Sequence, residues 1–192
     1  VLEGLTITGN GSSNTIIQAG TTTANGIDRV IGFNPVCSAP MAFVVSGVTI
    51  RFGRNSQNTG TYNDAGGGID FCGTGASSFS LSDSVVSGNT SVNGYGGGIN
   101  IDEVVPATSA VTIANTQFTN NTSAGEGGGL NIFGDNAQIS ITGSTISGNQ
   151  TTGGGSQGGG VNVRLTNQND GDGAPTSKLT IRTSAISGNS AG

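Results

Sequence analysis

The sequence contains no histidine, few charged residues and no long hydrophobic run, and each shortage excludes a class of function. Without histidine the chain lacks the commonest general base and metal ligand, which excludes Ser-His-Asp and Cys-His catalysis and the metal-hydrolase motifs. The 6 basic residues are scattered singly and form no patch for nucleic-acid phosphates or an anionic membrane surface. No apolar run reaches the length of a membrane span. We therefore expect no nucleic-acid partner, no membrane insertion and no bound cofactor.

The low charge also argues against disorder. Charged residues make up 9% of the chain, whereas disordered chains of low hydrophobicity usually carry a high charge. The 36 glycines and the apolar residues recur in a fixed pattern. The chain starts at Val1 inside a repeat and without a signal peptide, so we expect it to be a segment of a longer chain or assembly.

A glycine-rich hexapeptide recurs four times at a nearly constant period. Its third copy reads Gly-Gly-Gly-Leu-Asn-Ile and spans residues 127–132. The last glycines of the four copies are 30, 31 and 31 residues apart, at Gly68, Gly98, Gly129 and Gly160. Such a fixed period is the signature of a repeat architecture, in which each copy is one unit of a stack.

A pair of short strands forms the second periodic element. In Ile139-Ser140-Ile141 the apolar residues alternate with period two, which predicts a strand with one buried face. Another apolar residue ends the second strand of the pair. In three copies it is followed by Ser-Gly-Asn and in two by Thr-Gly-Asn or Thr-Asn-Asn, where glycine and asparagine tolerate left-handed backbone angles and can turn the chain. We predict an interior ladder from these strand-ending residues: Ile7, Ile50, Val86, Phe118, Ile146 and Ile186.

Together these elements predict an all-β fold, a right-handed parallel β-helix with three short strands per rung and about five to six rungs. We expect residues 1–192 to form a single β-helix, of which 11–40 is the least regular part. Neither end carries a cap. An uncapped rung presents unpaired backbone groups, so we expect it to pair with copies of the chain or with adjacent repeats.

Cys37 and Cys72 lie 35 residues apart, which is close to one repeat. This separation can place them on neighbouring rungs, near enough to bridge. The alternative is two buried free thiols. The surface-type composition favours a disulfide and therefore an oxidising, extracellular or cell-surface location.

The polar position of the glycine-led strand is the main candidate binding site. It holds one carboxylate and three amides, which we expect to form an outward, solvated column: Asp70, Asn100, Asn131 and Asn162. A glycosidase needs two carboxyl groups facing a sugar. Asp102 and Asp135 end the neighbouring strands and are the candidates to approach Asp70, although a structural column is the favoured interpretation.

Two further patterns suggest ligands. Asp170 and Asp172 lie in an Asp-Gly-Asp-Gly run that resembles a calcium loop but lacks its ligand spacing and its bidentate glutamate, so an ordinary turn is favoured. Thr6 and Thr8 beside Ile7, followed by Thr49 beside Ile50, begin a threonine row of the kind that orders water against ice. The residues Arg51, Val85, Gln117 and Ala185 interrupt that row.

The motifs resemble those of the bacterial right-handed parallel β-helix repeat surface proteins. The similar segments are Ser-Thr-Ile-Ser-Gly-Asn at 144–149 and the Gly-Gly-Gly-Ile-Asn type at 96–100. Residues 14–20 and 26–30 are similar to the start of the helix in members with a CSLREA-type leader, a leader that is not among the residues present. The resemblance implies a secreted or surface-displayed β-helix and supplies no catalytic residues.

We therefore expect a non-enzymatic extracellular structural or adhesive β-solenoid that assembles end to end or side by side into surface fibres. The first alternative is a β-helix that binds or cleaves carbohydrate through the Asp70 column, with surface glycans as partners. The second alternative is an ice-binding solenoid.

Overall fold

The computed structural model describes residues 3–33, 37, 39–57, 65–74, 77–104, 110–135, 137–166 and 177–192. These residues form parallel strands and one single-turn 3-10 helix, Thr23–Asn25. The strands stack into a β-solenoid, which confirms the predicted all-β parallel β-helix. Within the described ranges no helix is long and apolar enough to cross a membrane.

Four parallel sheets form the walls of the solenoid. The first holds β1 (Glu3–Thr8), β4 (Met41–Ser46), β8 (Ser78–Ser82), β12 (Ala110–Ala114), β16 (Gln138–Thr142) and β20 (Lys178–Arg182). The second holds β2 (Ile16–Gln18), β5 (Thr49–Arg51), β9 (Val85–Ser87), β13 (Gln117–Thr119), β17 (Thr145–Ser147) and β21 (Ala185–Ser187). The third holds β6 (Arg54–Asn55), β10 (Thr90–Ser91), β14 (Thr122–Ser123) and β18 (Gln150–Thr151). The fourth holds β3 (Ile31–Phe33), β7 (Ile69–Cys72), β11 (Ile99–Val104), β15 (Leu130–Asp135) and β19 (Val161–Thr166).

A complete rung therefore adds a fourth strand to the three that the sequence predicts. The added strand is the two-residue member of the third sheet, which directly follows the Ser-Gly-Asn turn. Two residues are too few to show an alternating pattern, so the sequence pattern assigns them to the turn. Four complete rungs, which begin at β4, β8, β12 and β16, lie between a first rung with β1 to β3 and a last one with β20 and β21.

The apolar ladder of the second sheet is confirmed at four positions and wrong at its first. At its last position Ile186 pairs in register with Ile146, but its predicted interior place is wrong because it is 46% exposed. Ile50, Val86, Phe118 and Ile146 pair in register and are completely buried. Ile7 pairs with Val45 in the first sheet instead, and Ile17 takes the place opposite Ile50.

The cause of this error is a turn that looks like another. Thr8-Gly9-Asn10 resembles Ser-Gly-Asn, but the Gly9 N–H donates to Ser46 O at 2.8 Å, so Gly9 lies at the bend between the first and second sheets. The threonine row is wrong for the same reason, because Thr6 lies in the first sheet and Thr49 in the second. Part of the irregular segment 11–40 thus completes the first rung through β2 and β3.

Aromatic residues fill the core near the first rungs. The ring centroids of Phe33 and Phe43 are 4.7 Å apart, and those of Phe71 and Phe79 are 5.6 Å apart. Phe43, Phe71 and Phe79 are buried to 1% exposure or less. Fully burying one such side chain contributes roughly 1.5–3 kcal/mol, so stacking of apolar ladders offsets the cost of ordering a glycine-rich chain.

Candidate functional site

The candidate site is the Asp/Asn column of the fourth sheet: Asp70, Asn100, Asn131 and Asn162. Parallel pairing places these four residues in exact register on β7, β11, β15 and β19. Their strand neighbours, such as Ile99 and Ile101, are completely buried in the core. Alternation along the strand therefore directs the column to the opposite face, as predicted.

The prediction that this column is solvated is wrong for three of its four residues, and Asn162 is half-buried. Asp70, Asn100 and Asn131 are only 4%, 0% and 4% exposed. The first glycine of each triplet turns the chain back over the column. Gly127, for example, has a φ of 68°, and a Cβ added there would lie 2.7 Å from the Cβ of Asn131. Glycine is needed at this corner for two reasons. Another residue would be strained in the left-handed backbone conformation, and its Cβ would clash with the column.

The column is a directional ladder of hydrogen bonds. The Asn162 Nδ2 donates to Asn131 Oδ1 at 2.8 Å, and the Asn131 Nδ2 donates to Asn100 Oδ1 at 2.8 Å. The Asn100 Nδ2 donates to Asp70 Oδ1 at 3.0 Å. In each of these hydrogen bonds the donor lies in the later rung and the acceptor in the earlier one. The amino-terminal end of the ladder is therefore the carboxylate of Asp70, which can only accept.

Arg29 closes this end of the ladder. Gly32 lies opposite Asp70 in the first rung and has no side chain to continue the column. A Cβ added to Gly32 would lie 3.3 Å from Cδ of Arg29, so the arginine stem covers the vacant position. The Arg29 guanidinium donates to Asp70 Oδ2. Arg29 thus substitutes for the missing ladder residue and neutralises the terminal charge.

A second carboxylate lies beside the first. Besides donating to Asp70, the Asn100 Nδ2 donates to Asp102 Oδ2 at 3.1 Å. Because both accepting oxygens bond to the same nitrogen, they are at most about 6 Å apart, so the two carboxyl groups that a glycosidase would need lie side by side. The predicted approach of Asp102 to Asp70 is thus observed, whereas the side chain of Asp135 lies outside the described residues.

Burial dominates the electrostatics of Asp70. Loss of hydration raises the pKa of Asp70 from 3.8 to about 6. The hydrogen bond from Asn100 and the positive charge of Arg29 lower this pKa, and the negative charge of Asp102 raises it further. The rise from burial exceeds the lowering by Arg29 and Asn100.

The arrangement lacks access for a substrate. Asp70 is 4% and Asp102 9% exposed, and both oxygens of Asp70 already accept hydrogen bonds. A general acid must come within hydrogen-bond reach of the glycosidic oxygen that it protonates. In this geometry Asp70 acts as the acceptor that ends a polar ladder.

The other end of the column also meets a carboxylate. Asn162 Nδ2 donates to Glu126 Oε2 at 2.8 Å in addition to its bond to Asn131. Glu126 is half-buried and directly precedes the glycine corner that covers Asn131. A charged acceptor thus contacts each end of the described ladder.

A second ladder, which was not predicted from the sequence, runs along the Ser-Gly-Asn and Thr-Asn-Asn turns. We call it the corner ladder: Asn89, Asn121, Asn149 and Asn189. The Asn121 Nδ2 donates to Asn149 Oδ1 and to the Val86 carbonyl oxygen, both at 2.9 Å. The Asn121 Oδ1 accepts from the N–H and Nδ2 of Asn89. The signal was the recurrence of asparagine as the third residue of the turns at 87–89, 119–121, 147–149 and 187–189, which the turn chemistry explained only as a backbone preference.

The predicted disulfide is present. Cys37 and Cys72 are bonded, with their Cα atoms 5.1 Å apart. Because Cys72 follows Asp70 by two residues, β7 is tied to the preceding rung both by this bond and by the Arg29 ion pair. The two links lie on either side of β3 in the sequence.

The calcium candidates Asp170 and Asp172 lie outside the described residues. Among the residues that the structure does describe, no group of three or more histidine, cysteine, aspartate or glutamate side chains could hold a metal ion.

The fold and the site define a parallel β-solenoid repeat protein that contains two internal amide ladders and one disulfide. No protein-family model, no curated protein and no solved structure matches the chain. The resemblance to bacterial surface β-helix proteins therefore stays a prediction.

Proposed function

We propose that this chain is a non-enzymatic extracellular β-solenoid with a structural or adhesive role. The observation that carries the proposal is the burial and mutual hydrogen bonding of Asp70, Asn100 and Asp102, which were the best candidates for chemistry. Their polar groups are used to join rungs. The disulfide supports an oxidising location, because such bonds persist mainly outside the reducing cytosol.

The first sheet supplies the most regular outer surface. Its outward positions from β1 to β16 carry no charged side chain: Gly4, Thr6, Thr8, Ala42, Val44, Ser46, Ser78, Ser80, Ser82, Ala110, Thr112, Ala114, Gln138, Ser140 and Thr142. Small side chains on parallel strands form a surface that another flat surface can approach closely. This face therefore suits side-by-side packing of solenoids.

Assembly is tested by sedimentation and electron microscopy of the purified chain at high concentration. We expect fibres or concentration-dependent oligomers. Thr112→Arg should reduce them because it adds a long charged side chain to the first-sheet face. Gln117→Arg, on the adjacent sheet of the same rung, is the matched control. A chain that stays monomeric and binds no cell, matrix or glycan would refute the proposal.

Surface glycans are the partner class that the exposed aromatic residue favours. The Tyr95 side chain is 49% exposed, and its ring covers Gly125, where an added Cβ would lie 2.6 Å from Tyr95 Cδ1. Glu126 and Gln157 occupy the equivalent positions in the next rungs, since their carbonyl oxygens, like that of Tyr95, each accept from the N–H of the first triplet glycine in the preceding rung. A flat ring beside carboxylate and amide groups can contact the apolar face and the hydroxyls of a sugar.

Glycan binding is tested on an array with the wild type and Tyr95→Ala. We expect Tyr95→Ala to bind glycans at least about tenfold more weakly than the wild type, because a stacked aromatic contact contributes on that scale. Tyr95→Phe, which keeps the ring, is the control and should retain binding. Equal binding by all three proteins would exclude Tyr95 from the site.

A further inference from the structure

Three Asn-Gly dipeptides occur in the chain: Asn10-Gly11, Asn25-Gly26 and Asn93-Gly94. All three asparagines are exposed to solvent. Glycine has no Cβ to hinder its own backbone nitrogen, so that nitrogen can reach the side-chain amide carbon of the preceding asparagine. The three sites share this local chemistry and differ in what holds the asparagine side chain.

Two of the side chains are held by hydrogen bonds. The Asn25 Oδ1 accepts from the backbone N–H groups of Thr21 and Thr22, both at 2.9 Å, and its Nδ2 donates to Thr21 Oγ1 at 2.8 Å. The Asn93 Nδ2 donates to the carbonyl oxygens of Ser56 and Gln57, at 3.1 and 3.0 Å. Either side chain must give up these bonds before it can turn towards the following nitrogen.

Asn10 differs from both. Its backbone N–H donates to Thr15 Oγ1 at 2.9 Å, and its carbonyl oxygen accepts from Asn14 Nδ2 at 2.9 Å. Within the described residues its side chain makes no hydrogen bond. The following Gly11 has a φ of 92°, in a turn where the nearest atom to an added Cβ is 3.6 Å away. The side chain is therefore free to rotate beside an unhindered backbone.

We propose that Asn10 is a site of spontaneous deamidation, with water as the only co-reactant. The Gly11 nitrogen loses its proton to solvent and attacks Asn10 Cγ, forming a new C–N bond. The bond from Cγ to Nδ2 breaks, and the amide nitrogen leaves as ammonia, which gives a five-membered succinimide. Water then opens either carbonyl of the ring and yields aspartate or isoaspartate, with no oxidation or reduction.

The modification would alter the turn that joins β1 to β2. Aspartate adds one negative charge to a chain whose formal net charge is −5. Isoaspartate also routes the main chain through the former side-chain methylene, next to a turn in which the Thr15 carbonyl accepts from the N–H of Thr49 at 2.8 Å. The change therefore acts on the first rung while leaving both ladders intact, and it does not depend on the adhesive role.

The test is peptide mapping by mass spectrometry of the intact protein, incubated at mildly alkaline pH. We expect Asn10 to deamidate about tenfold faster than Asn25 or Asn93, because two or three hydrogen bonds must break at those sites. Mapping of the protein in denaturant should bring the three rates together, because the hydrogen bonds are then absent. Equal rates in the folded protein would overturn the proposal, and so would the same order of rates in denaturant.

Variants separate the effect of the hydrogen bonds from that of the sequence. Thr21→Val removes one bond to Asn25 and should raise its rate about threefold while leaving that of Asn10 unchanged. Asn10→Gln should abolish the modification in this turn. An unchanged Asn25 rate in Thr21→Val would contradict protection by that bond.

Discussion

The corner ladder and the Asp/Asn column both join rungs through amides, yet they end differently. In the corner ladder the Nδ2 of each asparagine also donates to a carbonyl oxygen of the preceding rung, as Asn121 does to Val86. Asparagine can therefore occupy this corner in every rung. The column instead ends on Asp70, whose carboxylate accepts from Asn100 and Arg29.

The two ladders also run in opposite directions. In the corner ladder Asn89 donates to Asn121, towards the carboxyl-terminal rung. In the column Asn131 donates to Asn100, towards the amino-terminal rung. The amino-terminal end of the column therefore needs an acceptor. Asp70 departs from the asparagine repeat at the position where the column ends, and its second carboxylate oxygen accepts from the Arg29 guanidinium there.

The largest expected effect comes from breaking the middle of the corner ladder. Asn121→Ala removes the side-chain bonds to Asn89, Asn149 and Val86 and leaves the buried Asn89 N–H without its acceptor. We expect a loss of about 3–5 kcal/mol in the free energy of unfolding. Urea unfolding followed by circular dichroism measures it, provided that the m-value is unchanged. A smaller loss of unfolding free energy for Asn121→Ala than for Asn131→Ala would show that the corner ladder stabilises the fold less than the column does.

The next effect comes from the anchored end of the column. Replacing both Cys37 and Cys72 by serine opens a link of sequence separation 35. Loop-closure entropy predicts a loss of about 3–4 kcal/mol. Hydrogen exchange should show lost protection around Ile31 and Phe33, because they pair with β7, while the corner ladder keeps its protection. Equal loss of protection in β3 and in the corner ladder would show that the two regions do not unfold independently.

The pH dependence should distinguish the charged column from the neutral corner ladder. The folded pKa of Asp70, about 6, exceeds its reference value of 3.8, so the folded state binds the proton more tightly than the unfolded state does. The stability from this group is fully present below pH 3.8 and is lost as the pH rises through 6. We expect a change of about 3 kcal/mol between these limits.

The matched variant for this pH effect is Asp70→Asn, which cannot ionise. The difference in unfolding free energy between the wild type and Asp70→Asn should move against the wild type as the pH rises. Asp28→Asn removes an exposed carboxylate near the same Arg29 and should leave that dependence in place. A difference that stays constant with pH would mean that Asp70 is not desolvated.

A smaller effect is expected from the middle of the column. Asn131→Ala removes the bonds to Asn100 and Asn162. We expect a loss of about 2 kcal/mol in unfolding free energy, less than for Asn121→Ala because fewer bonds break. The same urea titration checks it. No measurable loss would show that the column bonds do not stabilise the stack.

The repeat and its core could be predicted from the sequence because their signals are local. The glycine triplets and the apolar positions from Ile50 to Ile146 recur at fixed offsets, and parallel stacking needs little more than that period. The assignment of Ile7 failed because Thr8-Gly9-Asn10 has the same residue types as a different corner. Similar short turns serve at several corners of this solenoid, so composition alone does not separate them.

The character of the candidate site could not be predicted in the same way. Arg29 is 41 residues from Asp70 in sequence and contacts it only because Gly32 leaves the column position vacant. The burial of Asn100 depends on how the glycine corners fold back, which a strand pattern does not contain. The corner ladder did have a local signal, but the positive φ angles occur at Gly88 and Asn120, so Asn89 and Asn121 are present for their side chains.

The most direct test of a structural Asp/Asn column is a polysaccharide panel with the wild type, Asp70→Asn and Asp28→Asn. The sealed geometry of Asp70 predicts no release of sugar by any of the three proteins. Turnover by the wild type that Asp70→Asn abolishes and Asp28→Asn retains would contradict it, because Asp70 would then have to reach a substrate that its burial excludes.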